Sequence, residues 1–135
     1  MTADLIREIR QALADNANPQ KAIGMRAYMK SEMPYRGVQK PIRLKLLRPI
    51  FRSHPISEQS DWRETVLELW RDAEYREERY AALDLAGAKQ YAEFRRFDTL
   101  PMFEEMVVTG AWWDYVDAIA THRPRELLER YPKGM

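Results

Sequence analysis

Apolar residues recur along the chain at three- and four-residue intervals, and the intervals break at prolines and glycines. Leu5, Ile9, Ala12 and Leu13 stand at i, i+4, i+7 and i+8, the stripe of an amphipathic helix. Asn18-Pro19 stops that helix, and Pro19 suits the first turn of a second one through Ile23, Arg26, Ala27 and Met29. Met33-Pro34-Tyr35-Arg36-Gly37 reads as a loop. A third helix fits Pro41 to Phe51 and carries Ile42, Leu46, Leu47 and Ile50, with Pro49 predicting a kink or an early stop.

Ser57 to Asp61 offers several N-caps ahead of Trp62, Val66, Leu69 and Trp70, a clear fourth helix. Tyr75 through Lys89 makes a fifth, and Gln90 to Arg96 extends it or turns by itself. Asp98 caps a sixth, with Pro101 in its first turn and Gly110 at its end. A seventh runs from Ala111 through Trp112, Val116 and Ile119 until Arg123-Pro124, and Arg125 to Tyr131 offers an eighth. No strand-like alternation is sustained. The reading is an all-α chain of about seven short helices, a single helical-repeat domain over 1–135. Such helices stack as a HEAT-like α-solenoid or close into a compact bundle, and periodicity allows both.

Composition removes whole classes of chemistry. With no cysteine among 135 residues, a disulfide framework, a thiol nucleophile, an iron–sulfur cluster and Cys-ligated zinc are excluded. The two histidines, His54 and His122, precede helix breaks and read as surface or capping residues. No Gly-rich phosphate cradle occurs, so neither a metal nor a cofactor is expected. No apolar run reaches membrane-spanning length, and the N-terminal stretch lacks a secretory apolar core. A cytoplasmic protein without membrane association is the expectation.

Net charge is only +1, from 22 basic and 21 acidic residues, but it conceals a local excess. From Lys30 to Arg52 the chain has seven basic residues (Lys30, Arg36, Lys40, Arg43, Lys45, Arg48 and Arg52) against one acid, Glu32. Tyr28 and Tyr35 interleave with them. Such a cluster at a helix start can contact phosphates; a solvated helix face accounts for it equally simply.

The segment Thr109-Gly110-Ala111-Trp112-Trp113-Asp114-Tyr115-Val116-Asp117 is the most informative. On a helix, Trp112, Val116 and Ile119 form the packing stripe, while Trp113 and Asp117 stand together on another face, four residues apart. Half-buried packing for Trp113 and a solvated or ion-paired Asp117 would explain the spacing too. Glu104-Glu105 and Asp114 with Asp117 are paired acids without an accompanying histidine. Tyr75-Arg76-Glu77-Glu78-Arg79-Tyr80 reads as an exposed helical turn with i, i+3 and i, i+4 charge pairs.

Three of these stretches together resemble the AlkD-type DNA alkylation repair family of HEAT-like DNA glycosylases. They are YMKSEMPYRGVQKPIR (Tyr28 to Arg43), LWRDAEYREERYAALDLA (Leu69 to Ala86) and TGAWWDYVDAIA (Thr109 to Ala120), in the family's order. W-W-D-x-V-D on a helix is the most specific.

The resemblance implies excision of cationic alkylated purines, N3-alkyladenine and N7-alkylguanine, from double-stranded DNA by cleavage of the N-glycosidic bond. It places the catalytic carboxylate at Asp117, its aromatic partner at Trp113, and a site-lining tyrosine at Tyr28. It makes Lys30, Arg36, Lys40 and Arg43 contacts to the DNA backbone. It also reads this chain as the N-terminal half of such proteins, so an apolar solenoid end, and a homodimer through it, are expected. The alternative is a catalytically inactive HEAT-like module that binds DNA or protein.

Overall fold

A computed structural model describes residues 2–29, 31 and 33–110. The described residues form six α-helices and two 3-10 segments and include no strand. The architecture is all-α, built of short helices on brief linkers, the elements from which a HEAT-like α-solenoid is assembled. The chain divides into two compact units, Met1–Ala82 and Leu83–Met135.

The first unit contains α1 (Thr2–Asp15), α2 (Pro19–Met29), α3 (Lys40–Ser53), α4 (Gln59–Arg71) and the start of α5 (Arg76–Ala86). Helix α1 packs against both α3 and α4. The stripe read from the sequence supplies the contact: Leu5, Ile9 and Leu13 are buried, joined by Ile6. From α4, Trp62, Val66, Leu69 and Trp70 are at most 1% exposed, and α3 adds Leu47 and Phe51. Full burial of each such side chain is worth about 1.5–3 kcal/mol.

Several helix ends differ from the sequence reading. Helix α3 continues through Pro49 to Ser53, where the Ser53 hydroxyl donates to the Pro49 carbonyl at 3.0 Å. Proline removes one N–H, but the turns on either side retain theirs. Helix α4 begins after Glu58, whose side chain makes no cap bond. Asn18 does cap α2: its Oδ1 accepts from Lys21 N–H at 3.1 Å. Helix α2 itself buries no residue, and Ile23 on it is 74% exposed. His54 is the C-cap residue of α3 and pairs with Glu8 of α1.

In the second unit, α5 ends at Ala86, earlier than its pattern predicts. A 3-10 segment, Lys89–Phe94, and a 3-10 turn, Phe97–Thr99, lead into α6 (Leu100–Gly110). Arg95 is buried, and its Nη1 donates to the carbonyls of Ala86 and Ala88 at 3.1 and 2.9 Å. It thus satisfies the Ala86 carbonyl at the end of α5 and shares the Ala88 carbonyl with the Tyr91 N–H. Asp98 lies in the 3-10 turn rather than directly capping α6. Met102, Phe103 and Met106 of α6 are buried.

Candidate nucleic-acid interface

Helix α3 has five basic residues and no acid in fourteen. Its period sorts them. Arg43, Leu47 and Phe51, at i, i+4 and i+8, are buried. Lys45, Arg48 and Arg52, at i, i+3 and i+7, are exposed. These three share one side of the helix, and Lys40 is exposed at its first residue. An exposed cationic row without an interspersed acid is the electrostatic form of a phosphate-backbone contact.

The linker between α2 and α3 is held by main-chain bonds. The Glu77 carboxylate, fully buried, accepts three successive N–H groups: Arg36 at 2.8 Å, Gly37 at 2.9 Å and Val38 at 3.0 Å. Asn18 N–H donates to the Arg36 carbonyl at 2.8 Å, and Arg76 N–H donates to the Pro34 carbonyl at 2.9 Å. Charge-assisted bonds of this kind are roughly twice as strong as neutral ones. Gly37 has φ +91°, and a Cβ there would lie 2.0 Å from the Asn18 carbonyl oxygen. The close approach requires glycine.

Guanidinium groups and aromatic rings alternate behind this linker. Arg36 lies 3.8 Å from the Tyr75 ring centroid and Arg43 4.9 Å from that of Tyr80. Arg76 stands 5.6 Å from Tyr35 and 5.8 Å from Tyr80, whose hydroxyls are 3.2 Å apart. Arg79 lies 4.6 Å from Trp70. Cation–π contacts contribute roughly 0.5–2 kcal/mol each.

The Tyr75–Tyr80 stretch is therefore not the exposed charged turn its spacing predicts. Arg76 and Glu77 are fully buried and Glu78 is 3% exposed. Backbone donors explain the burial of the acids: beside the three N–H groups on Glu77, Glu78 accepts from Glu74 N–H at 2.7 Å and Tyr75 N–H at 3.3 Å. Sequence reasoning missed these two carboxylates because their partners are mostly main-chain groups, which leave no side-chain signature.

The residues singled out in the sequence have diverse surroundings. Tyr28 is 86% exposed near the end of α2. Lys40 is exposed, Arg36 half-buried and Arg43 buried. Lys30, Trp113 and Asp117 lie outside the described residues, as do Asp114 and His122. The structure thus gathers Arg36 and Arg43 around the linker's aromatic packing, with Lys40 at the start of α3. It adds Lys45, Arg48 and Arg52 as the outward-facing cations. Among the described residues, no group of three acids or histidines is arranged to hold a metal ion, and no helix is long and apolar enough to cross a membrane.

No curated relative matches the sequence. The family of DNA alkylation repair enzymes matches over residues 9–134, a span that includes the acid-free α3, the Glu77-held linker and the W-W-D-x-V-D segment. The chain belongs to the DNA alkylation repair enzyme family.

Proposed function

We propose that this chain binds the DNA backbone through the exposed side of α3 and the α2–α3 linker, and that it acts on cationic alkylated purines. The observation that carries the reading is the cationic row Lys45, Arg48 and Arg52 on a helix without an acid, in a chain of this family. Lys40 and Arg36 extend the contact along the linker. Neutralising phosphates releases counterions, so binding weakens steeply with salt and shows little sequence preference.

The proposed chemistry is hydrolysis of the N-glycosidic bond at N3-alkyladenine or N7-alkylguanine. The base is already cationic, so it leaves as a neutral species when the C1′–N bond breaks. The deoxyribose then develops oxocarbenium character. Asp117 stabilises that charge, orients the water that attacks C1′ and accepts the proton that the water loses. Trp113, four residues earlier in the sequence, is assigned the role of offering its indole face to the cation, and the resemblance adds Tyr28 as a substrate contact. The alternative is a DNA-binding module without base release.

The test is base release from alkylated duplex DNA, measured by mass spectrometry beside Asp117→Asn. Release by the unaltered chain and its loss in the variant supports catalysis. Salt-dependent binding without release leaves the binding function alone. Absence of both overturns the reading.

A further inference from the structure

A cleft of about 360 Å³ opens on the first unit between α1, α4 and the α2–α3 linker. Arg7 and Arg10 of α1, Arg36 of the linker and Glu68 of α4 are its charged lining residues. Ala3 and Ile6 supply apolar wall. Three arginines and one glutamate thus line a space large enough for a phosphate and part of its ester.

The three arginines differ in how they are paired. Arg36 has no ion-pair partner among the described residues, and its Nε is buried without a hydrogen bond. Its guanidinium stacks on Tyr75 instead, which leaves the outer nitrogens for a ligand. Arg10 Nε is likewise buried without a hydrogen bond. Its nearest carboxylate oxygen, on Glu78, is 3.8 Å away. The other oxygen of that carboxylate accepts two N–H groups, Arg10 Nη2 makes a long bond of 3.4 Å to the Asp72 carbonyl, and Glu77 is occupied by three N–H groups. Arg7 is paired with Asp4 on the exposed side of α1. Arg36 is thus the lining cation without an ion pair among the described residues, beside an Arg10 that is only loosely paired.

We propose that this cleft is a phosphate-binding pocket in which Arg36 and Arg10 hold the oxyanion and Arg7 closes the outer side. The ligand chemistry is a phosphate ester. Planar guanidinium groups suit it because each can donate two parallel hydrogen bonds to phosphate oxygens. Stacking on Tyr75 and the Glu77 clamp fix Arg36 before the ligand arrives, which lowers the ordering cost of binding. Where the phosphate belongs to DNA, the pocket adds α1 to the backbone contact proposed above and rests on that reading. A free nucleotide phosphate would occupy it independently.

Two arms separate these sources in the full chain: salt titration of a labelled duplex, and direct binding of AMP and of inorganic phosphate. The variants are Arg10→Gln, the exposed Arg7→Gln, and Glu68→Gln, which removes the single negative lining group. For a DNA phosphate, each arginine variant lowers the slope of log K against log salt by about 1. For a free phosphate ester, Arg10→Gln weakens AMP at least about tenfold and leaves the DNA slope unchanged. In either case Glu68→Gln tightens the responsive ligand about twofold, so the test survives if Arg10→Gln fails to fold.

Duplex binding whose slope is the same in all three variants, with no AMP or phosphate bound, overturns the pocket while the DNA reading stands. Arg10-dependent AMP binding without duplex binding overturns the DNA reading while the pocket stands. A chain that binds none of the probes overturns both.

Discussion

Asn18 and Gly37 approach so closely that a methyl group on Gly37 would lie 2.0 Å from the Asn18 carbonyl oxygen. That oxygen also accepts the Ala22 N–H at 2.9 Å in the first turn of α2. The contact sets the linker against the start of α2, and the φ of +91° at Gly37 makes it possible.

Gly37→Ala is therefore expected to cost at least about 2 kcal/mol, from the clash and the left-handed backbone together. Gly24→Ala is its control. Gly24 lies in α2 with nothing within 4 Å of an added Cβ, so the substitution should stabilise by roughly 0.5–1 kcal/mol. Urea unfolding of both variants measures the contrast. Equal effects would refute the packing account.

Glu77→Ala removes the acceptor of three N–H groups in a buried place. Each stranded donor costs about 1–3 kcal/mol, less whatever water recovers, so a loss on the order of 3 kcal/mol is expected. Glu77→Gln keeps a carbonyl acceptor and should lose less. Chemical denaturation ranks the two, and the reverse order would contradict the hydrogen-bond assignment.

Arginines on opposite sides of α3 should fail in different ways. Arg48→Gln is expected to lower the salt slope of duplex binding by about 1 with a stability change within about 0.5 kcal/mol. Arg43→Gln removes a buried cation stacked on Tyr80 and should cost mainly stability. Fluorescence anisotropy and thermal melting on both variants would show the split. A stable Arg43→Gln with a lowered slope would move the DNA contact to the other face.

Trp62 is fully buried in α4. Trp62→Ala should cost about 3–5 kcal/mol by loss of packing and formation of a cavity. A destabilisation under about 1 kcal/mol would mean that the helix does not seat its stripe in the core.

Helices with unbroken apolar stripes were legible from sequence. The stripes Leu5-Ile9-Leu13 and Trp62-Val66-Leu69-Trp70 admit one inward face each, and both are buried. Helix α2 was readable as a helix from Pro19, but its exposed Ile23 was not, because short-range pattern cannot tell a covered face from an uncovered one. The basic segment was visible as composition. Its division into buried Arg43 and exposed Lys45, Arg48 and Arg52 needed the helix phase.

The burial of Arg76, Glu77 and Glu78 was invisible for a different reason. A dense run of charges at helical spacing satisfies the rule for a solvated turn. Glu77, however, meets N–H groups 39 to 41 positions upstream, and every non-proline residue carries an N–H. Trp113 and Asp117 could be placed on one face by spacing and given roles by resemblance.

The Glu77 clamp separates what the linker must conserve from what it can vary. Any amino acid except proline presents the same N–H at position 36, so the carboxylate would grip the loop whatever side chain stood there. Charge at that position can drift through evolution, or be changed by design, while the loop keeps its path. The phosphate contact proposed for Arg36 could thus be retuned at one residue without rebuilding the scaffold, provided Glu77 and Gly37 remain.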